Sequence, residues 1–335
     1  MGAASDTLAK DGELKMKPYF EENMATVYNA SSLNTGLPDE SVQCVTTSPP
    51  YWGLRKYDGE QDAGGFVFGL EEIPELYVQH TILFLREIWR VLRKDGVCFW
   101  NVGDSYSQGS NNNSSFRHDK APVGAGHVLP HGHKPKDLCL IPQRVAIAAQ
   151  EDGWWVRSDI VWAKPNPMPE SVKDRPTNAY EHILMLTKSK KYYWDIDAVR
   201  EPHTTPDGMG WAANGQGSQY HTSDYGNRRG KADFTRSDGL QSMGGHPNGR
   251  NLRDVWTIAT QPSGFKHYAA FPAKLPELCI KAATKPGDTV LDPFAGTGRA
   301  LEVALKLGRE AIGFDVSEKY CDMIVDRCKQ GVLGK

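Results

Sequence analysis

The chain has 335 residues, with 39 Lys and Arg against 41 Asp and Glu, so its formal charge is −2. At roughly 150 residues per domain, this length fits two domains or one large domain with an insertion. The hydrophobic share of 39% is typical of a globular protein and excludes a collagen, a coiled coil and a largely disordered chain. Because the total charge is nearly neutral, any binding to nucleic acid requires positive charge that is concentrated locally.

The six cysteines are widely spaced and form no Cys-x-x-Cys pair, so we expect buried or half-buried free thiols in a reducing compartment. We predict no metal site. No apolar run approaches the ~18 residues of a membrane helix, and the N-terminus has no signal-peptide core. These observations predict a cytoplasmic protein that does not cross a membrane.

Strands and helices alternate along most of the chain. Ser41–Thr47 reads as a buried strand, Val78–Leu92 as a helix, Lys94–Gly96 as the turn that ends it, and Gly96–Val102 as the next strand. The middle of the chain predicts a helix over Leu138–Ala149 and a strand over Trp154–Trp162, followed by an antiparallel pair of strands over Glu181–Lys188 and Lys191–Asp195. Near the C-terminus we predict a strand over Thr289–Asp292, a helix over Arg299–Leu307 and a strand over Glu310–Asp315. This alternation predicts an α/β sheet covered by helices.

Two long stretches interrupt the alternation. Ser105–Pro135 is polar and contains four histidines, of which His127, His131 and His133 lie close together in the sequence. We interpret this stretch as a polar loop rather than a metal site. Glu201–Arg250 is rich in glycine, and loops of this length are usually functional or disordered. Within and just beyond it, Thr222–Arg253 carries six Lys and Arg against three Asp, a local charge of +3.

A glycine loop follows the predicted strand near the C-terminus. The loop has the sequence Asp-Pro-Phe-Ala-Gly-Thr-Gly, from Asp292 to Gly298, and precedes a predicted helix. The free N–H groups at the N-terminus of such a helix are available to a ligand. The spacing differs from G-x-G-x-x-G, and no lysine follows as in a phosphate-binding loop. Asp315 ends the next strand, 19 residues after Gly296, where a carboxylate can accept hydrogen bonds from ribose hydroxyls. This context favours a nucleoside cofactor over a plain tight turn.

A second motif, Ser48-Pro49-Pro50-Tyr51, follows the first predicted strand. Its prolines lack N–H donors, so the Ser48 hydroxyl and the local carbonyls form a row of acceptors beside an aromatic ring. Such a cluster suits a planar ring that carries an exocyclic amino group. The alternative is a proline turn with an aromatic side chain that packs against it.

Taken together, the two motifs resemble the catalytic and cofactor motifs of the DNA amino-methyltransferases. Their order, with the catalytic motif first and the variable stretch between them, is similar to the beta class. Trp162–Pro169, Glu181–Leu184 and His267–Pro272 also resemble segments of that family, so the resemblance runs from about Val42 to Tyr320, apart from the two irregular stretches. It implies a Rossmann-like α/β fold with a mostly parallel sheet, an antiparallel hairpin, a circularly permuted motif order and a small recognition insertion. The implied regions are a catalytic half (18–200), a target-recognition region (201–262) and a cofactor-binding half (263–330).

The resemblance also implies residue roles. Ser48, with the carbonyls of Pro49 and Pro50, would hold the target amine, and Tyr51 would stack on the base. S-adenosyl-L-methionine would be the cofactor. Phe294 would lie against its adenine, Asp315 would bind its ribose, and Phe271 and Lys274 would close the pocket. The full set of residues on the glycine-loop side is Asp292, Pro293, Phe294, Ala295, Gly296, Thr297, Gly298 and Asp315. The recognition region would bind double-stranded DNA through Arg228, Arg229, Lys231, Arg236, Arg250 and Arg253. A solvated loop that never meets DNA is the alternative for that region.

The resulting hypothesis is a sequence-specific enzyme that methylates N4 of cytosine in a flipped-out base. In this family, Ser at the first catalytic position usually accompanies N4-cytosine, and Asp or Asn usually accompanies N6-adenine. Methylation at carbon 5 of cytosine needs a thiolate, typically in a Pro-Cys pair, which is absent from the sequence. An N6-adenine enzyme and a non-catalytic DNA-binding regulator stay open as alternatives, whereas RNA or protein methylation fits Ser48 and the late cofactor motif poorly. We further expect a bacterial, archaeal or phage-encoded protein associated with the nucleoid, with a cognate restriction endonuclease and a homodimeric state as candidate partners.

Overall fold

The computed structural model describes residues 7–8, 14–53, 65–107, 134, 136–202, 248–261 and 271–333. The chain divides into a main unit, which runs to Asp195 and resumes at Asp254, and a small unit over Ile196–Arg253. In the small unit, an antiparallel bridge joins Glu201 to Arg250, and Asp197–Val199 forms one turn of 3-10 helix. The assignment of residues 201–262 to target recognition stays a prediction.

The described residues contain eleven strands. In chain order these are β1 (Thr7–Leu8), β2 (Leu14–Lys15), β3 (Phe20–Glu22), β4 (Ala25–Asn29), β5 (Val42–Thr47), β6 (Leu92–Val102), β7 (Trp155–Ala163), β8 (Tyr180–Thr187), β9 (Val255–Thr257), β10 (Thr289–Asp292) and β11 (Glu310–Asp315). Strands β1 and β2 pair with each other, and the other nine form one sheet in the order β3-β4-β11-β10-β5-β6-β8-β7-β9. Five neighbouring pairs in this sheet run parallel and three antiparallel, which confirms the predicted fold class.

The described helices are α1 (Pro74–Val91), α2 (Ile141–Glu151), α3 (Lys274–Ala283), α4 (Arg299–Lys306) and α5 (Glu318–Leu333). Helix α1 starts with Pro74, where the missing N–H leaves no helical hydrogen bond unmade, and it buries Tyr77, Leu85 and Ile88 along one face. In the part of the chain that the structure describes, none of the helices combines the length and apolar character that a membrane crossing requires.

The predicted turn after the first helix is wrong. Strand β6 begins at Leu92, directly after α1, and its pairing with β5 shifts register between Val42 and Cys44, so residues 93–96 form an irregularity within the strand. Gly96 is needed there because an added Cβ would lie 2.7 Å from the Leu92 side chain and 2.9 Å from the Gln43 carbonyl oxygen. The Asp-Gly sequence therefore marks a close backbone approach rather than a turn.

The predicted strand at Lys191–Asp195 is also wrong. Strand β8 pairs antiparallel with β6 and β7, so both of its edges are already occupied. The backbone N–H of Tyr193 instead donates to the Asp95 carbonyl, and that of Asp195 donates to the Ala282 carbonyl. The antiparallel hairpin of the fold is formed by β7 and β8.

Strand β5 lies at the centre of the sheet. All six of its residues are buried, and both of its neighbours, β6 and β10, run parallel to it. Burial on both faces explains why its sequence, VQCVTT, shows no alternation. All six cysteines are buried and unpaired, as predicted.

The order of the chain along the sheet reverses between β5 and β10. Strand β5 connects through α1 to β6 on one side, whereas β10 connects through α4 to β11 on the other. The carboxyl ends of β5 and β10 therefore lie side by side. The loop that follows β5 and the loop that follows β10 lead away from each other. Open α/β sheets bind ligands in the crevice at such a reversal.

Candidate active site

The two sequence motifs meet at this reversal, because each one follows one of the two strands. The hydroxyl of Thr47, the last residue of β5, donates a 2.6 Å hydrogen bond to Oδ1 of Asp292, the last residue of β10. The Ser-Pro-Pro-Tyr motif and the glycine loop are therefore fixed to each other at the ends of their strands.

The glycine loop turns back on itself before α4. Gly296 and Gly298 have φ values of +52° and +76°, which favour glycine. Gly298 also packs on α5, where an added Cβ would lie 3.0 Å from the Ile324 Cα. The N–H of Ala295 donates to the Phe314 carbonyl, which ties the loop to β11. The loop thus presents the N-terminus of α4 towards the crevice.

Two carboxylates flank this loop, and burial raises the pKa of both. The pKa of Asp292 is raised to about 7 and that of Asp315 to about 6, although each side chain accepts hydrogen bonds that favour its charged form. Asp292 Oδ1 accepts from Thr47 and from the Phe294 N–H. Asp315 accepts from the Gly296 N–H at 2.9 Å and from the Ser317 N–H at 2.9 Å, so each of its oxygens keeps a lone pair for a further donor. A half-buried carboxylate beside a glycine turn fits the ribose diol of a nucleoside cofactor.

The apolar candidates differ in their surroundings. Phe294 is half-buried in an aromatic cluster, with its ring centroid 4.8 Å from Phe84 and 5.6 Å from Phe68. Phe271 is buried just before α3, and Lys274 at the start of α3 pairs with Glu277 at 3.3 Å. Contacts of Phe294 with adenine, and closure of the pocket by Phe271 and Lys274, stay predictions.

The Ser-Pro-Pro-Tyr motif is anchored by side chains from three other elements. Ser48 Oγ donates to Tyr51 Oη at 3.2 Å, and Tyr51 Oη donates to Glu181 Oε2 at 2.6 Å. Asn101 on β6 places Nδ2 2.8 Å from Tyr51 Oη and 3.3 Å from Ser48 Oγ. Lys164, after β7, forms an ion pair with Glu181 at the start of β8. No role of Asn101, Lys164 or Glu181 is predicted from the sequence.

Backbone packing holds the motif from both sides. The Tyr51 ring lies against Gly103, where an added Cβ would be 2.8 Å from two ring carbons. Gly69, with φ of +92°, packs on Pro50, where an added Cβ would be 2.9 Å from the Pro50 Cβ. The Pro50 carbonyl accepts a 3.0 Å hydrogen bond from the buried Tyr77 hydroxyl, so one of the carbonyls predicted to hold the amine already has a donor.

The cysteine nearest to the motif, Cys44, is fully buried inside β5. Burial raises the pKa of its thiol well above the ordinary value, so it stays protonated and unreactive at neutral pH. The geometry therefore suits direct transfer to an amine rather than attack by a thiolate.

Of the predicted DNA-binding residues, Arg228, Arg229, Lys231 and Arg236 lie outside the described residues, as do the four histidines of the polar loop. Arg250 and Arg253 both pair with Glu201 Oε2, at 2.8 and 2.9 Å. Although burial opposes it, hydrogen bonds from these arginines lower the pKa of Glu201. A DNA phosphate would compete with Glu201 for both arginines, of which Arg253 has the more exposed side chain, at 61% against 34%.

The buried charge of Asp292 gives a prediction about stability. Because the folded protein holds this proton more tightly than the unfolded chain does, stability falls as the pH rises from 3.8 to about 7. Asp292→Asn keeps an oxygen for the Thr47 and Phe294 donors but carries no charge. We expect its Tm without cofactor to exceed that of the unmodified protein by a few degrees at pH 8, and by less at pH 5. Asp326→Asn, at an exposed position of α5, is the control; a lower Tm for Asp292→Asn at pH 8 would contradict the prediction.

Comparison with protein families matches residues 42–326 to a family described as DNA methylase. Type II methyltransferase M.Cfr9I of Citrobacter freundii is 40% identical over 314 residues, which cover 92% of this chain and 88% of the relative. Type II methyltransferase M.SmaI of Serratia marcescens is 37% identical over 298 residues, which cover 87% and 86%. The family match extends through both motifs and the region between them.

Solved structures share the fold. The PvuII DNA methyltransferase, a cytosine-N4-specific enzyme, superposes with a TM-score of 0.56 at 20% identity, covering 93% of each chain. A putative DNA modification methylase of Thermus thermophilus, in complex with S-adenosyl-L-methionine, gives a TM-score of 0.54 at 21% identity, covering 92% of this chain and 95% of that one. At these identities the likeness establishes the architecture of the sheet and its covering helices.

Proposed function

This chain belongs to the family of DNA amino-methyltransferases that modify N4 of cytosine or N6 of adenine, and on that premise we propose that its target is N4 of cytosine. It is a site-specific DNA methyltransferase that uses S-adenosyl-L-methionine. One observation carries the choice of cytosine: a neutral serine, Ser48, occupies the first catalytic position, where the N6-adenine enzymes usually have Asp or Asn.

The proposed reaction requires the target base to leave the duplex, because its amino group cannot reach the crevice while it is stacked. S-adenosyl-L-methionine supplies a methyl group on a positively charged sulfur. Ser48 Oγ and the Pro49 carbonyl accept the N–H bonds of the amine and stabilise the positive charge that develops on its nitrogen. Tyr51 supports the base through its ring, and the remaining contribution of the chain is to position the reactants.

The cofactor lies, in this proposal, along the glycine loop between Asp292 and Asp315. The observation that favours it is the half-buried Asp315 carboxylate, which retains a lone pair on each oxygen at the crevice. The positive φ values of Gly296 and Gly298 let the loop turn directly before α4, whose N-terminal N–H groups can bind a ligand.

Mass spectrometry of the product tests the choice of base. Unmethylated bacterial genomic DNA is treated with the protein and S-adenosyl-L-methionine, then digested to nucleosides. We expect N4-methylcytosine. N6-methyladenine instead would establish the other branch of the family, and the absence of any methylated nucleoside would favour a non-catalytic regulator.

Contact of the recognition region with DNA phosphates is the second part of the proposal. Arg228→Ala together with Arg229→Ala should reduce the slope of log affinity against log salt by about 2, since each lost phosphate contact reduces it by roughly 1. Fluorescence anisotropy with labelled duplex DNA at several salt concentrations measures the slope. Lys94→Ala, at an exposed lysine of β6, should leave it unchanged. An unaltered slope in the double variant would remove this pair from the DNA contact.

The relatives' designation as Type II methyltransferases supports a role in restriction and modification. We propose that this chain protects the sites of a cognate endonuclease, which is tested by whether its methylated DNA resists an endonuclease encoded beside it. A homodimer is a separate proposal, tested by light scattering of the purified protein.

A further inference from the structure

A chain of polar side chains lies behind the proposed catalytic serine. We call it the polar chain; its members are Ser48, Tyr51, Asn101, Glu181 and Lys164. It ends in a charged pair, because Glu181 Oε1 contacts Lys164 Nζ while Glu181 Oε2 accepts from Tyr51. The side chains of the charged pair are only 17% and 18% exposed. Desolvation offsets much of the attraction in a half-buried ion pair, so its presence behind a catalytic motif calls for a reason beyond stability.

The charge of Glu181 dictates the direction of the hydrogen bonds. A carboxylate can only accept, so Tyr51 must donate its single hydroxyl proton to Glu181, across 2.6 Å. The Tyr51 oxygen is then left as an acceptor, and Ser48 donates its own single proton to it, across 3.2 Å. One lone pair of Ser48 Oγ accepts from Asn101 Nδ2 at 3.3 Å, so the outer side of Ser48 Oγ carries the other lone pair and no proton.

Glu181 also orients Asn101, which is buried. Asn101 Nδ2 lies 3.1 Å from Glu181 Oε2 and 2.8 Å from Tyr51 Oη, and the reverse amide orientation would set Oδ1 against the carboxylate. Among the residues that the structure describes, Asn101 Oδ1 has no hydrogen-bond donor.

A neutral residue at position 181 would not impose this order. A glutamine could donate or accept, so Tyr51 and Ser48 could reverse their protons and Ser48 could point its proton outwards. Lys164 pairs with the Glu181 carboxylate, and its Nζ also lies 4.5 Å from the centre of the Trp162 ring. The charged carboxylate of this ion pair can only accept, and that property determines the direction of the Tyr51 and Ser48 hydrogen bonds.

We propose that the Lys164–Glu181 pair sets the direction of the polar chain and so presents Ser48 Oγ as an acceptor to the target. Glu181 is then a positioning residue that acts through Tyr51, and the inference rests on the proposed role of Ser48 in holding the amine. A site that offers only acceptors favours an exocyclic amino group, which donates, over the carbonyl that thymine or guanine carries at the equivalent position.

A double-mutant cycle tests this inference. Tyr51→Phe removes one oxygen and keeps the ring, Glu181→Gln removes the charge and keeps the shape, and a third variant carries both changes. The assay follows labelled methyl transfer from S-adenosyl-L-methionine to unmethylated bacterial genomic DNA. We expect each single change to lower kcat on the order of tenfold, with KM for the cofactor unchanged. The double variant should be no slower than the slower single variant, because both changes break the same chain.

Glu170→Gln is the matched control, because Glu170 lies in the same β7–β8 connection and pairs with Arg175, outside the polar chain. It should retain full kcat. Thermal unfolding and cofactor affinity of each variant show whether it folds. If Glu181→Gln does not fold, Tyr51→Phe still tests the inference, because it loses only one oxygen.

Full kcat in either single variant, or losses that multiply to about a hundredfold in the double variant, would overturn the inference. Failure of the proposed function gives a different result: the unmodified protein would yield no methylated base, or Ser48→Ala would be fully active. If the product is N6-methyladenine, the cycle still tests the polar chain, since that target is also an amino group.

Discussion

Ser48→Ala is expected to lower kcat for methyl transfer on the order of tenfold or more while leaving the affinity for S-adenosyl-L-methionine unchanged. The change removes the hydroxyl that accepts the amine and leaves the glycine loop untouched. Steady-state kinetics on unmethylated DNA and calorimetry with the cofactor separate the two effects.

A matched control exists just before the same strand. Ser41 precedes β5 and donates to the Pro38 carbonyl at 2.7 Å, at the end of β5 opposite to the crevice. Ser41→Ala should leave kcat unchanged. Equal rates for Ser48→Ala and the unmodified protein would remove Ser48 from the mechanism.

Asp315→Asn is expected to weaken S-adenosyl-L-methionine binding by about tenfold to a hundredfold, the range for losing a hydrogen bond to a charged group. Calorimetry of the variant against the unmodified protein measures the loss. Glu310→Gln, at the start of the same strand, is the control and should bind the cofactor normally. Unaltered affinity in Asp315→Asn would contradict its ribose role.

The pH dependence of cofactor binding gives an independent check on Asp315. Its pKa of about 6 means that the charged form dominates at pH 7 and is lost as the pH falls through 6. Affinity of the unmodified protein should therefore fall about tenfold between pH 7 and pH 5, and that fall should be absent in Asp315→Asn. Because Asp292 also titrates in this range, Asp292→Asn should keep the fall if Asp315 causes it.

The sequence predicts most of the sheet because its strands are short, buried and followed by strong signals. The prolines after Thr47 and the glycines after Asp292 mark where β5 and β10 end, and the structure confirms both ends. The predicted turn at Lys94–Gly96 fails because Asp-Gly has the same local preference in a turn and in a strand irregularity. Lys191–Asp195 fails because its aromatic, β-favouring residues find no free strand edge beside β8.

The polar chain could not be predicted in the same way. Ser48 and Tyr51 belong to one motif, but Asn101, Lys164 and Glu181 come from three other places in the sequence and meet only through the pairing of β6, β7 and β8. In the sequence, Lys164 and Glu181 look like ordinary surface charges, although the structure half-buries both. Their role depends on which residues share a sheet face, which local patterns do not encode.

The Thr47–Asp292 hydrogen bond joins residues that are 245 positions apart, and this separation affects how the protein is made. At a synthesis rate of about 5–20 residues per second, roughly 12–50 seconds pass between the synthesis of β5 and that of β10, and one edge of β5 lacks its partner strand for that time. During that time a strand that belongs in the core has an unpaired edge, which is the kind of surface that aggregates. Chains truncated before Thr289 should therefore collect in the insoluble fraction, and slower growth or chaperone supply should raise the yield of the full-length enzyme.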